Sequence, residues 1–189
     1  MTQGDHRNVA RPLPLRVEDF FRLDESGAFE GYGKTELLDG GVVYMNAQHR
    51  PHARCKAALY DGLRDALRGL DSPLSVMIEA SVAMPPHDAP EPDLVLTSEP
   101  DGLGPVPLAT VALIVEVSDA TLAGDLGAKA TIYARHGVPE YWVADIAGKR
   151  IIQHSQPSLH GYAIRRDVAF GDAIEAVTVA GLAVATDGL

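Results

Sequence analysis

Carboxylates are rare on apolar strands, because burying one without a compensating partner is expensive, and this chain carries two in that position. Asp93 follows Pro92 and opens the run Asp-Leu-Val-Leu-Thr at 93–97. Glu116 lies near the end of Val-Ala-Leu-Ile-Val-Glu-Val at 111–117. A fold that keeps both must bring something to them. A divalent cation held between neighbouring strands would serve. Lys129, thirteen residues beyond Glu116 on a helical pattern, supplies a second compensating charge.

The rest of the pattern frames these strands. Residues 1–15, with Pro12 and Pro14, read as a flexible arm, and 16–189 as one domain. A short helix is expected at 16–24 and a hairpin at 35–45, turning at Asp39-Gly40-Gly41, since Asp-Gly between apolar runs favours a tight turn. Residues 49–70 carry Ala53, Ala57, Tyr60, Leu63, Leu67 and Leu70 at helical spacing, and Asp71-Ser72-Pro73 stops that helix. Strands are expected at 74–84, from Asp93, around Glu116, at 140–145 and at 150–154, with weaker ones at 162–165 and 174–179. A second helix is expected at 123–136, ended by Gly137. This order implies an α/β (α+β) fold, a central mixed β-sheet flanked by two main helices.

Composition removes several classes. An apolar fraction of 46% with 22% charged residues fits a folded globular chain rather than a disordered one. The longest uncharged apolar stretch, 111–115, is too short to span a bilayer, and the N-terminus lacks the apolar core of a signal peptide. With the single Cys55 this points to a reducing, cytoplasmic setting and no membrane association. There is no Cys-x-x-Cys pair for zinc, no phosphate-cradling Gly-x-x-x-x-Gly-Lys and no Gly-x-Ser-x-Gly elbow. The formal net charge of −10 argues against tight binding to a phosphate backbone by lysine and arginine alone. Any contact with DNA should be local and weak. Arg54, Lys56, Arg64, Arg68, Lys149-Arg150 and Arg165-Arg166 are the candidates, although a solvated helix face explains Arg64 and Arg68 better.

Magnesium and manganese take oxygen ligands, commonly one or two carboxylates completed by water and substrate phosphate oxygens. Asp93 and Glu116 meet that minimum, and Lys129 could orient or deprotonate water, or hold its ammonium against a developing oxyanion. Asp125, Lys129 and Tyr133 recur every four residues and share one helix face. Each signal has an ordinary explanation too. Asp93 could cap a turn after Pro92, Glu116 could be an edge-strand charge, and Asp125–Lys129 could be a solvent-facing ion pair. Glu36 could point to solvent from its hairpin, and His52 could be a surface residue. Tyr141 and Trp142 suit packing better than base stacking.

The combination of Glu116-Val117-Ser118-Asp119-Ala120-Thr121-Leu122, Asp125, Lys129, Tyr133-Ala134 and Gly137-Val138-Pro139-Glu140-Tyr141-Trp142-Val143 resembles the Uma-two family of the restriction-endonuclease-like PD-(D/E)XK superfamily. Glu36-Leu37-Leu38-Asp39-Gly40, His52 and Glu91-Pro92-Asp93-Leu94 extend the match over about 36–154. The resemblance implies a restriction-endonuclease-like core, Mg2+ or Mn2+ held by Asp93 and Glu116, and Lys129 as the active-site lysine. It also implies Glu36 as an auxiliary acid, with His52 and Tyr133 beside the site. The superfamily's usual lysine position, two residues after the glutamate, is Ser118 here, so the lysine comes from the following helix. Gly124 and Gly127 flank Asp125, and two glycines lower helix propensity by roughly 1 kcal/mol each relative to alanine. The implied activity is metal-dependent hydrolysis of DNA phosphodiester bonds, with homodimers common among relatives of the fold. Two other readings stay open: a catalytically silent module acting in assembly or nucleic-acid binding, and a hydrolase for a different phosphate ester.

Overall fold

The pairing of strand Leu94–Thr97 with strand Val111–Ser118 explains why two acids distant in sequence arrive beside each other. The computed structural model describes residues 12–45 and 47–189; most of the expected N-terminal arm, 1–11, lies outside them. In chain order the elements are α1 (Val17–Glu25), β1 (Thr35–Leu38), β2 (Gly41–Tyr44), α2 (Arg50–Gly69), β3 (Ser75–Ile78), β4 (Val82–Ala83), β5 (Leu94–Thr97), β6 (Val106–Pro107), β7 (Val111–Ser118), α3 (Leu122–Gly124), α4 (Ala130–Arg135), β8 (Glu140–Asp145), β9 (Arg150–Ser158), β10 (Gly161–Ala169), β11 (Ala173–Glu175) and β12 (Ala183–Ala185).

Six strands form the central sheet in the order β10-β9-β8-β7-β5-β3. β7 and β8 run parallel and the other neighbours antiparallel, so the sheet is mixed. Leu94 and Leu96 of β5 and Leu113, Val115 and Val117 of β7 pack with Cys55, Leu59, Leu63 and Leu67 of α2. Val95 and Ile114 point the other way, into a second core with Ala130, Ile132 and Tyr133 of α4. Alternation puts Glu116 on the Ile114 face, the side covered by α4, whereas Asp93 lies just before β5 and its carboxylate meets His52 and Lys56 of α2 and the Val117 amide. The β5–β7 register pairs Leu94 with Val115, so one further step sets Asp93 opposite Glu116. Directly opposed residues have Cβ atoms roughly 5 Å apart, close enough for their carboxylates to act together.

The hairpin forms as its Asp-Gly signal predicts. Asp39 and Gly40 both adopt positive φ, 50° and 76°, which a two-residue turn of this hand requires. The hairpin docks at its tip: the Leu15 amide donates to the Gly40 carbonyl, the Gly40 amide to the His87 carbonyl, and the Asp39 amide to the buried carboxylate of Asp88. Asp88 also accepts hydrogen bonds from Arg135 at 2.9 Å and His136 at 2.8 Å, so one carboxylate ties the hairpin to the end of α4. Burial alone would raise the Asp88 carboxyl, but these partners outweigh it and hold it below its ordinary value. A carboxyl depressed on folding stabilises the protein above its unfolded pKa, and that contribution disappears as pH falls through the lower folded value. Asp88→Asn should therefore cost about 1–3 kcal/mol at neutral pH, and the loss should shrink below about pH 4. Urea denaturation at several pH values reads both effects; a loss that stays constant into acid would contradict this account.

Several elements depart from expectation. The strand at 74–84 is broken, because Glu79 turns the chain at φ 50° between β3 and β4. Asp93 immediately precedes β5 rather than lying inside it. The helix at 123–136 is divided by a π-helical turn at Asp125–Lys129, where Gly124 and Gly127 weaken the regular helix. The weak strand at 162–165 is the middle of β10, which pairs with β9 in a long hairpin. The strand at 174–179 shrinks to β11, paired with β12. Among the described residues no helix is long and apolar enough to cross a membrane.

Candidate active site

Asp93 sits where the chain enters β5, 3% exposed, and both oxygens of its carboxylate are engaged twice. Oδ2 accepts the Val117 amide at 2.8 Å and His52 Nε2 at 3.1 Å. Oδ1 accepts Gln48 Nε2 at 3.0 Å and, more distantly, Lys56 Nζ at 3.4 Å. Burial works to raise this carboxyl, but His52, the Val117 amide and Lys56 prevail and bring it down to about 2. Asp93 is therefore an anion, and His52 Nε2 must carry the proton it donates. That leaves Nδ1 of His52 buried without a hydrogen-bond partner among the described residues.

Glu116 heads a second, neighbouring network. Its Oε1 accepts Lys129 Nζ at 2.8 Å and the Tyr133 hydroxyl at 2.8 Å. Lys129 also donates to Glu36 Oε1 at 3.0 Å, and that oxygen accepts the Glu91 amide at 2.9 Å. Burial raises the Glu116 carboxyl to about 7; Asp93, Glu36 and Asp125 push the same way while Lys129 pulls against them. Burial would lower the Lys129 ammonium, but Glu116 and Glu36 overcome it and lift its pKa above that of ordinary lysine. Lys129 is thus a fixed cation at neutral pH. Burial, with Glu116 next to it, holds the Tyr133 hydroxyl protonated.

The π-helical turn explains how Lys129 reaches these acids. One extra residue in a helical turn rotates the residues beyond it, and here both Asp125 and Lys129 face inward and are buried. They do not form the solvent-facing pair that an i,i+4 spacing would allow. Asp125 instead accepts hydrogen bonds from Ser118, at 2.5 Å, and Thr121, at 2.6 Å. Ser118 thus anchors the first turn of the segment that delivers Lys129.

A pocket of about 360 Å3 opens here, lined by Asp93, Glu116, Lys129, His52, Asp125 and Asp119, with Lys34, Tyr44 and Gln48 also on its wall. All six residues that sequence reasoning placed at the site lie together: Asp93, Glu116, Lys129, Glu36, His52 and Tyr133. Lys56 was expected as a DNA contact, yet its ammonium is spent on Asp93, Gln48 and Glu79. Gln48 was not singled out; a lone glutamine before a helix carries no signal in sequence. Arg64, Arg68, Arg150 and Arg165 pair with neighbouring aspartates. Tyr141 and Trp142 are fully buried packing residues.

The donor set suits a hard divalent cation. Glu116 Oε2 accepts no hydrogen bond from the described residues, and the carboxylates of Asp93, Glu116, Glu36 and Asp125 leave negative charge that Lys129 and Lys56 do not fully offset. Among the described residues no group of three or more His, Cys, Asp or Glu is arranged to hold a metal ion. Two carboxylates completed by water and phosphate oxygens is, however, the usual environment of Mg2+.

A six-stranded mixed sheet with helices on both faces and two buried acids beside a pocket is the architecture of the restriction-endonuclease-like fold that the sequence led us to expect. The same fold is found in the crystal structure of a "putative nuclease belonging to DUF820 from Anabaena variabilis ATCC 29413", which matches 86% of this chain and 89% of its own with a TM-score of 0.64 at 11% identity. The family model Uma2, described as "Putative restriction endonuclease", matches residues 17–187, and the chain belongs to that family. No curated protein matches the chain.

Proposed function

We propose that this protein is a divalent-metal-dependent endonuclease that hydrolyses DNA phosphodiester bonds. The observation carrying this reading is that Asp93 and Glu116 line one pocket together, with the cation Lys129 bonded to Glu116. Asp93 and Glu116 would hold Mg2+ or Mn2+. When bound, such an ion acidifies water and offsets charge on the scissile phosphate. The chain's own groups supply the rest. Lys129, held protonated by two glutamates, is suited to stabilise negative charge and unsuited to take a proton. Glu36 and Tyr133 fix the ammonium and the Glu116 carboxylate, while His52 and the Val117 amide fix Asp93.

A second reading, a fold kept for assembly or nucleic-acid binding without catalysis, draws on one observation. Asp93 already has two donors on each carboxylate oxygen, so an ion must displace one of them. Lys56, at 3.4 Å the longest contact, is the one most easily lost. Cleavage of supercoiled plasmid in Mg2+ or Mn2+, and its absence in EDTA, tests the catalytic reading. Asp93→Asn and Glu116→Gln should each lower the rate at least about 100-fold, the upper range for changes merely adjacent to metal ligands. Equal nicking by wild type and both variants would assign the activity to a contaminant and overturn the proposal.

A further inference from the structure

Six tyrosines occur in the chain, and the two most exposed stand together, one of them lining the candidate pocket. Tyr133 and Tyr141 are fully buried, and Tyr60 and Tyr162 pack at the margins of the core clusters. Tyr44, at the end of β2, is 65% exposed and lines the pocket. Tyr32, in the turn before β1, is 62% exposed, and its ring lies 6.2 Å from that of Tyr44 at an interplanar angle of 43°. Neither ring belongs to a core cluster, so packing does not account for them.

Charge narrows what could cover these rings. The lysines at the pocket are already paired: Lys34 with Glu91 at 3.5 Å, Lys56 with Glu79 at 2.6 Å, and Lys129 with Glu36 and Glu116. The chain as a whole carries a net charge of −10. Neutralising phosphates, which supplies most of the affinity of ordinary duplex binders, is poorly served at this rim. Aromatic faces bind nucleobases without needing charge, at roughly 1–3 kcal/mol per stacked base, and any base offers such a face when unpaired. In an intact duplex the faces are already stacked and out of reach.

We infer that Tyr44 and Tyr32 form a stacking platform for unpaired nucleobases next to the scissile phosphate, so that the preferred substrate is single-stranded or locally opened DNA. The inference rests on the phosphodiester reading of the site, and it deepens that reading by naming the substrate class.

The test reads binding without turnover. In EDTA at constant salt, fluorescence anisotropy compares a short labelled oligothymidylate, an abasic strand with the same number of phosphates, and the oligothymidylate in duplex. The wild type should bind the base-bearing single strand at least about 5-fold more tightly than the abasic strand, the factor given by one weak stacking contact, and more tightly than the duplex. Tyr44→Ala should bring that affinity down to the abasic level, whereas Tyr44→Phe, which keeps the ring, should retain it. Both side chains are exposed, so the variants should fold. Equal affinity for base-bearing and abasic strands, no binding to either, a preference for duplex, or a base preference surviving in the Tyr32→Ala/Tyr44→Ala double variant would each overturn the inference. Because no cleavage is needed, a protein that stacks bases but does not cut and one that cuts but does not stack give different results.

Discussion

Lys129→Ala is expected to destabilise the protein by about 3–5 kcal/mol, the cost of stripping one partner from a buried ionic cluster. Lys129 is 7% exposed in its side chain and bridges Glu36, with no exposure, and Glu116, at 6%. Without the ammonium, two buried carboxylates share one site with nothing between them, and Glu36 Oε2 already lacks a hydrogen-bond partner among the described residues. The cost arises from the carboxylates left behind more than from the lost packing of the lysine stem. The double variant Lys129→Ala/Glu36→Gln should therefore recover part of the stability, because it removes one of the two stranded charges. Chemical denaturation of the two single variants and the double gives the coupling between the positions. Additive losses would mean that the cluster is not the electrostatic unit the distances describe.

Glu140→Ala should produce a loss of comparable size, at least about 3 kcal/mol, far from the candidate metal pair. The Glu140 carboxylate is completely buried, yet no lysine or arginine among the described residues pairs with it. Five hydrogen bonds hold it instead. Oε1 accepts Trp142 Nε1 and Gln153 Nε2, both at 2.6 Å. Oε2 accepts the Val177 amide at 2.8 Å, the Thr178 amide at 2.9 Å and the Thr178 hydroxyl at 2.8 Å. Truncation leaves those donors facing a cavity, and each stranded buried donor costs about 1–3 kcal/mol. Glu140→Gln keeps the shape but turns an amide NH2 toward donors, so it should be only a partial rescue. Trp142 is the only tryptophan, and its fluorescence reports the change directly. A variant with unchanged stability and emission would mean that water fills the cage without loss.

Glu140 also shows what was legible in the sequence and what was not. Asp93, Glu116 and Glu140 all present the same signal, a carboxylate bordering an apolar strand, and in each case the fold does bring compensation. The signal does not say of what kind. Glu140 is met by a loop 37 residues downstream, whereas Asp93 and Glu116 face each other across adjacent strands. Only the strand order separates a hydrogen-bond cage from a candidate metal pair. The spacing of Asp125, Lys129 and Tyr133 marked one helix face, but it fitted a solvent-facing ion pair as readily, and the family resemblance was what set Lys129 beside the acids. Glu36, His52 and Tyr133 had no local signal strong enough on their own, and their association with the site was implied by the family resemblance. Lys56 and Gln48 escaped because a polar residue near the start of an amphipathic helix looks solvent-exposed until the neighbouring strand is in place. The broken strand at Glu79 and the π-helical turn escaped because tertiary packing decides both, although the glycines around Asp125 marked where the helix was weakest.

The central claim is that Asp93 and Glu116 form one divalent-cation site. Titrating Mn2+ into wild-type protein and Asp93→Ala, with thermal unfolding as the readout, tests it most directly, since an ion that binds only the folded state raises the unfolding temperature by mass action. The account predicts a saturable rise in the wild type that is lost in Asp93→Ala. No rise in the wild type, or an equal rise in both proteins, would contradict it.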